Sequence, residues 1–420
     1  MEKWLITGAN QLLTLQGAGK HPKTGKAMND LGIIEDGAVA VEKDTIIAVG
    51  TRNEVESEAR KRWGSWEKVN HWDATGKVIM PGLIDPHTHL VYAGSREDEL
   101  NMRLNGKTYL EILEAGGGIL STTQRTRAAS ADELAEQAKA RLDRFLKNGV
   151  TTVEAKSGYG LSLEHELKQL RVAKRLNEEH PVEIVSTFMG AHAIPKEYQQ
   201  QPDAYVRLIT DEMIPRVVSE HLAEFCDVFC ERGVFTVGQS EMILRAAKAA
   251  GLILKIHADE IEPTGGAELA ARIGAISADH LLKASDEGIR ALAKAKVVAV
   301  LLPGTAFFLM APFADGRKMI DAGVPVALST DCNPGSSPTE SLLLMMNLAC
   351  FHMKMTPAEV ITAVTVNAAH AIGRADRIGS LEPGKQADLV VFDVPNYLHL
   401  TYHYGSNDVE RVMKKGKWVV

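Results

Sequence analysis

Pro81-Gly82-Leu83-Ile84-Asp85-Pro86-His87-Thr88-His89 is an apolar run that ends abruptly in two histidines one residue apart. Side chains alternate along an extended strand, so His87 and His89 fall on the same face. In a closed parallel barrel that face points inward at the strand's carboxyl end, where such barrels keep their chemistry. The pair then supplies two-thirds of a metal site. Alone, His-x-His is a weak motif, and two ordinary loop histidines would look the same. The rest of the chain decides between them.

Across residues 76–377 apolar runs alternate with helical segments, the pattern of repeated βα units. Candidate strands end at Ile84, Val153, Phe188, Phe229, Ile256, Ala278, Leu302 and Leu328. Capping boxes mark helix starts at Ser130 with Glu133, Ser337 with Glu340 and Thr356 with Glu359. The last two place Pro338 and Pro357 at the first helical position. An α/β fold follows, a (β/α)8 TIM barrel. Such barrels run to about 250 residues as one unit, which leaves both ends of this 420-residue chain over. Residues 1–75 carry alternating segments such as Gly37-Ala38-Val39-Ala40-Val41-Glu42 and Thr45-Ile46-Ile47-Ala48-Val49. Residues 378–420 carry Leu389-Val390-Val391-Phe392 and Lys417-Trp418-Val419-Val420. Neither piece is long enough for its own core, so 1–75 together with 378–420 are expected to form one small β-sandwich domain.

Polar residues recur just past these strands, where a barrel places its site. Glu154, Lys156 and Tyr159 follow the second, His192 the third, His257 and Glu260 the fifth, and Asp279 and His280 the sixth. Thr305 follows the seventh, and Asp331, Asn333, Gly335 and Ser336 follow the eighth; strand four offers no obvious ligand. His87, His89, His257 and Asp331 together give three nitrogens and one carboxylate, a set suited to Zn²⁺ or iron. With one water added, the site is open and catalytic.

The formal net charge is -7 and the basic residues are dispersed, which argues against nucleic acid or an acidic membrane as partner. A small-molecule substrate is expected. Cys226, Cys230, Cys332 and Cys350 are too few for a disulfide scaffold, and the expected compartment is reducing. With no signal-peptide pattern and no run of transmembrane length, the chain reads as a cytoplasmic enzyme.

The PGLIDPHTH strand, the His257 and His280 strand ends, Ser329-Thr330-Asp331 and the late stretch Ile378 to Val391 resemble the amidohydrolase superfamily over essentially the whole chain. Glu154-Ala155-Lys156-Ser157-Gly158-Tyr159-Gly160-Leu161, Gly190-Ala191-His192 and Asp331-Cys332-Asn333-Pro334-Gly335-Ser336 resemble one branch of it, which serves histidine degradation. That branch adds water across a ring amide of 4-imidazolone-5-propanoate to give N-formimidoyl-L-glutamate. Binuclear members bridge two metals with a carboxylated lysine at the end of strand four. Asp227-Val228-Phe229-Cys230-Glu231-Arg232-Gly233 has no lysine, so one zinc or iron ion per subunit is implied. Lys156 follows strand two and is left open, as an ion-pair partner in the pocket wall, a structural residue or a solvated lysine.

The resemblance further implies roles. His280 orients the water or stabilises the oxyanion, Asp331 accepts the water's proton, and Glu260 shuttles a proton or bonds a ring N–H. Arg96 grips the carboxylate tail bidentately, with Tyr159 and His192 donating beside it. Asn333, Gly335 and Ser336 form a turn whose N–H groups and hydroxyl hold the product's new carboxylate. A homodimer is implied by family and base rate. Two alternatives remain. One is a related purine or pyrimidine deaminase or another cyclic-amide hydrolase, which would differ at Arg96, Tyr159 and His192. The other is a non-catalytic scaffold, which has no reason to keep all four ligands.

Overall fold

The computed structural model describes residues 2–420. Its centre is a sheet of eight parallel strands in sequence order. They are Leu83–Asp85, Val150–Lys156, Glu183–Ala191, Phe225–Cys230, Ile253–Ala258, Ser277–His280, Val298–Leu301 and Val326–Leu328. Each matches one of the eight apolar runs, and helices between them cover the outside, making the α/β TIM barrel. Val150–Lys156 is buried at every position, as strands covered on both faces must be. Helix Ala131–Lys147 shows why the outer layer holds. Leu134, Ala138, Leu142 and Phe145 recur at helical spacing and are all buried against the sheet, and each large one contributes roughly 1.5–3 kcal/mol.

The barrel closes between its first and eighth strands through residues just beyond them. Thr88 and Cys332 form a parallel bridge, His89 N donates to Cys332 O at 3.0 Å, and Asp331 N donates to His87 O at 3.1 Å. Below the bridge, buried Asp85 accepts hydrogen bonds from Ser329 Oγ and, at 2.7 Å, from Thr330 Oγ1. Burial pushes the Asp85 carboxyl up to about 7, against the pull of those hydroxyls.

The chain ends build two further sheets. One is four-stranded, ordered Thr45–Thr51, Gly37–Glu42, Lys3–Ala9, Asn70–Asp73. The other is six-stranded and mixes both ends: Lys417–Trp418, Val409–Lys414, Leu389–Phe392, Val78–Pro81, Gln11–Leu13, Ile33–Ile34. Ile6, Val39, Val41, Leu12, Ile79, Leu389 and Val391 form one apolar cluster with residues from both sheets. Hydrogen bonding carries the second sheet to Pro81, past the boundary expected after residue 75. The run that looked continuous in sequence therefore changes sheets at Gly82. Gly82 N donates to Asp388 O at 3.0 Å, and a Cβ there would stand 2.4 Å from Thr151 Cγ2. Only glycine permits that approach.

Two of the three expected helix starts are present, with complete capping boxes at Ser130 and Thr356. The third is not. The helix begins at Leu342, capped by Ser341, while Ser337 Oγ donates to Thr330 O at 2.6 Å. Ser337 serves the loop that returns over the barrel mouth, where it bridges Asn333. Among the described residues no helix is long and apolar enough to cross a membrane.

Lys414, from the terminal sheet, is buried and ties that sheet to the barrel. Its Nζ lies 2.7 Å from Asp388 Oδ2 and 3.4 Å from Glu183 Oε2 at the start of the third strand. Burial would raise the Glu183 carboxyl, but Lys414, Arg377, Lys415 and Arg374 together hold it below the ordinary value. A carboxylate lowered on folding stabilises fully above the unfolded pKa, about 4.3 for glutamate, and loses that contribution as pH falls through the folded value. Glu183→Gln is therefore expected to cost roughly 1–3 kcal/mol near neutral pH, with the gap to wild type closing in acid. Denaturant unfolding across pH checks this; a gap that does not narrow in acid contradicts it.

Candidate active site

Past Asp85 the first strand stays extended, so Thr88 turns away and its Oγ1 donates to Glu154 O at 2.6 Å. His87 and His89 face the barrel interior, both buried. His257 comes up from the fifth strand, its ring centroid 4.5 Å from that of His87 and 5.9 Å from that of His89. Asp331 stands beyond the eighth strand in left-handed backbone (φ 52), a conformation aspartate tolerates better than most side chains. Its Oδ1 lies 3.4 Å from His87 Nε2 and 3.7 Å from His89 Nε2, while Oδ2 accepts from Thr305 Oγ1 at 2.6 Å.

Two groups of ligand atoms, each within 4.8 Å, share His87: His87 with His89 and Asp331, and His87 with His257 and His280. His280 is thus drawn into the same cluster as the four expected ligands. His87 Nε2 and His257 Nε2 are buried with no hydrogen-bond partner, a costly arrangement unless something else takes their lone pairs. Burial, reinforced by neighbouring positive groups, holds His87 and His89 well below the usual histidine range. Neutral imidazoles are the form that binds metal. His257 differs, since the Asp227 carboxylate outweighs burial and raises its pKa; three imidazoles with orphaned nitrogens and one carboxylate are a donor set that fits Zn²⁺ or iron.

The supports of these rings are Asp279, already legible at the end of strand six, and Asp227, which is not at a strand end. His87 Nδ1 pairs with Asp279 Oδ2 at 2.6 Å, which leaves Nε2 facing the site. Asp227, on strand four, lies 3.1 Å from His257 Nδ1 and accepts His257 N at 3.1 Å. Such carboxylate partners fix tautomer and orientation. The signal was present in sequence: Asp227 interrupts an otherwise apolar strand, at an interior-facing position, with no local partner. Lys156 is not solvated. It is buried and bonds to Glu154 Oε1 at 2.8 Å and Asp227 Oδ2 at 2.7 Å. Burial opposes its charge, but Asp227, Glu154 and Asp279 outweigh it and raise its pKa.

Above the rings opens a cavity of about 440 Å³. Arg96, Tyr159, His192, Glu260, Asn333, Gly335 and Ser336 all line it, with His89, His257, His280 and Asp331 at its floor. Tyr159 stays a phenol, because burial and the Asp331 charge raise its pKa well above normal. His192 differs from expectation. Burial and the nearby His257 lower its pKa to about 3, and its Nδ1 lies 3.0 Å from the Gly158 carbonyl. A carbonyl only accepts, so Nδ1 carries the proton and Nε2 is an acceptor; His192 cannot donate to a carboxylate from that atom. The turn also differs, since Gly335 N and Ser336 N both donate to Asn333 Oδ1, at 2.8 and 2.9 Å. Those N–H groups are spent within the turn.

Glu99 and Arg103, also in the wall, were not expected. Glu99 receives Arg96 bidentately, Nε to Oε1 at 2.9 Å and Nη2 to Oε2 at 2.7 Å, and accepts Gly118 N at 3.0 Å. Arg103 lies seven residues after Arg96, two helical turns on, a spacing that could have found it. Burial and the Asp331 charge push Glu260 up to about 8, and its Oε1 stands 3.6 Å from His280 Nδ1.

A model of the amidohydrolase family matches residues 78–419. The chain is 63% identical over 420 residues to an imidazolonepropionase of Geobacillus kaustophilus (strain HTA426), covering 100% of this chain and 98% of that protein. It is 50% identical over 417 residues to an imidazolonepropionase of Bacillus velezensis, covering 99% of this chain and 96% of that one. Among solved structures, an atrazine chlorohydrolase variant from Arthrobacter aurescens TC1 superposes with TM-score 0.75 at 18% identity, over 99% of this chain and 95% of that one. Guanine deaminase of E. coli gives TM-score 0.74 at 14% identity, over 100% and 99%. At such identities these structures share the fold.

Gly335 is where the wall is tightest, since a Cβ there would sit 2.1 Å from Arg96 Nη1. Gly335→Ala should push the guanidinium off the cavity, raising KM about 10-fold or more while leaving metal content unchanged. Steady-state kinetics with metal analysis decides; an unchanged KM means Arg96 is not set by this contact.

Proposed function

The chain belongs to the amidohydrolase family, and on that premise we propose that it catalyses the imidazolonepropionase reaction. It is a hydrolase of histidine degradation that acts on a C–N bond in a cyclic amide. Water adds across the ring amide of 4-imidazolone-5-propanoate, and the ring opens to N-formimidoyl-L-glutamate. The observation that carries this reading is 63% identity along the whole chain to a relative of that name. Turnover of 4-imidazolone-5-propanoate, with the product identified by mass, tests it; absence of the formimidoyl product overturns it.

In this reading His87, His89, His257 and Asp331 hold one ion, zinc or iron, per subunit. Bound there, the ion supplies Lewis acidity, lowering the pKa of a water and polarising the ring carbonyl. The chain's own groups handle position and protons. Arg96 takes the propanoate carboxylate with the N–H groups not used by Glu99, and the Tyr159 hydroxyl donates beside it. His192 Nε2, an acceptor, takes a ring N–H of the substrate. Asp331, pushed up to about 6 chiefly by burial, accepts the water's proton at a carboxylate oxygen. Glu260, protonated at neutral pH, returns a proton to the departing ring nitrogen. His280, neutral and beside Glu260, orients the water or stabilises the oxyanion. Asn333, Gly335 and Ser336 shape the wall, and the Ser336 hydroxyl faces the new carboxylate.

A homodimer in the cytoplasm completes the proposal, supported by four unpaired cysteines and by the prevalence of twofold assemblies.

His257→Ala is expected to lose metal and activity together, as measured by metal content and turnover; full occupancy with normal rate contradicts the ligand set. His280→Ala should keep its metal and lose most of kcat, so a metal-free variant would make His280 a ligand. Arg96→Met should keep fold and metal yet cost on the order of 2–5 kcal/mol in kcat/KM. Wild type should prefer the carboxylate substrate strongly over an analogue with an uncharged amide tail, and Arg96→Met should largely lose that preference. Equal discrimination by both proteins removes Arg96 as the anchor.

A further inference from the structure

Beneath the site lies a second cluster, which shares His257 with it and whose carboxylates the reaction leaves unused. Asp227, His257 and Asp279 each bring a ligand atom within 4.8 Å of the others, and all three are buried. Two carboxylates and an imidazole are a donor set for a divalent ion. In this chain a side chain stands among them instead. Lys156 Nζ lies 2.7 Å from Asp227 Oδ2, 2.8 Å from Glu154 Oε1 and 3.4 Å from Asp279 Oδ2.

The arrangement follows from strand order and alternation. Glu154 and Lys156 are two residues apart on the second strand and so face the same interior. Asp227 comes from the fourth strand and Asp279 from the sixth. A lysine stem is long enough to carry its charge across to both. The remaining groups fix the far side: Glu154 Oε1 accepts Thr187 Oγ1 at 2.5 Å and lies 3.2 Å from Lys255 Nζ, while Asp279 Oδ1 accepts Ser277 Oγ at 2.7 Å. Asp279 and Asp227 are also the partners of His87 Nδ1 and His257 Nδ1. One ammonium therefore holds both carboxylates that aim metal-facing rings.

We propose that Lys156 is a built-in cation: its ammonium fills a second metal-capable cluster, limits the centre to a single ion, and fixes the carboxylates that orient His87 and His257. The proposal rests on the one-ion reading above. It gives a positive reason for that number, beyond the lack of a lysine on strand four. An ion entering between Asp227 and Asp279 would have to displace a like charge from a site closed to water, where repulsion is poorly screened. Removal of the ammonium would leave Glu154, Asp227 and Asp279 facing Lys255 alone, an excess of negative charge that a divalent ion corrects.

Wild type and Lys156→Met are loaded with excess Co²⁺ and desalted, and metal per chain is measured. One ion is expected in wild type and two in the variant, whose cobalt spectrum shows magnetic coupling between neighbouring ions that wild type lacks. The variant's unfolding temperature is expected to keep rising beyond the first equivalent of cobalt, while that of wild type levels off. One ion per folded variant chain overturns the proposal and leaves the one-ion reading intact; a wild type that takes two ions overturns that reading itself. If Lys156→Met does not fold, Lys156→Met combined with Glu154→Gln, which removes one of the exposed carboxylates, is measured in the same way. One ion there, or no folding of either variant in excess cobalt, likewise overturns the proposal.

Discussion

The closure of the barrel between its first and eighth strands is the constraint on which the site depends. His87 and His89 stand on one side of that seam and Asp331 on the other, so two of the four proposed ligands meet a third only because the seam is shut. A short parallel bridge between Thr88 and Cys332 carries the backbone pairing. Asp85, with Ser329 and Thr330, supplies the side-chain bonds beneath it. The left-handed backbone of Asp331 is part of the same device, since the chain must turn sharply there for the carboxylate to look back across the seam. Stability and chemistry share these residues, which is why a buried acid appears one layer below the histidines, where an apolar residue would pack more cheaply.

The interior is organised by charge in two layers. In the upper layer burial holds His87, His89 and His280 well below the usual histidine range, while Asp227 outweighs burial and raises His257. The lower one is ionic and dry, with acids from strands two, four and six answered by lysines from strands two and five. Buried ion pairs add little to stability on their own, because desolvation offsets attraction. Their value here is directional: Asp227 and Asp279 each have a lysine behind them and a histidine in front. The rings are thereby aimed without contact from the substrate.

Sequence exposed what is periodic or local. The eight apolar runs are periodic, and the residues just past them inherit their place from the strands, so His87, His89, His257 and Asp331 could be grouped before any contact was known. The pairing of Asp227 with His257 joins strands four and five, and that of Asp279 with His87 joins strands six and one; local pattern marks Asp227 as a break in an apolar strand but not the ring that either acid meets. The tautomer of His192 is illegible in sequence for a different reason. Its proton is placed by the Gly158 carbonyl, a backbone atom whose position no side-chain motif reports. Ser337 looked like a helix cap because a serine followed by proline and glutamate is locally complete, yet the loop over the barrel mouth claimed its hydroxyl first. Gly82 hid a change of sheet inside what looked like one strand, since a close approach to Thr151 is a tertiary fact.

That change of sheet also sets an order in time. Val78–Pro81 runs straight into the strand that bears the histidine pair; on one side it pairs with Gln11–Leu13 and on the other with Leu389–Phe392, where Lys77 and Asp393 at the end of the pairing are 316 residues apart. At about 5–20 residues per second of synthesis, the partner emerges on the order of tens of seconds after the strand it covers. Through that interval Val78, Ile79 and Met80 present an apolar edge with unpaired backbone groups, the kind of edge other chains add to. The nascent protein is thus most vulnerable to aggregation late in translation, and a stall or truncation near the carboxyl terminus would strand it in that state with most of its barrel already made.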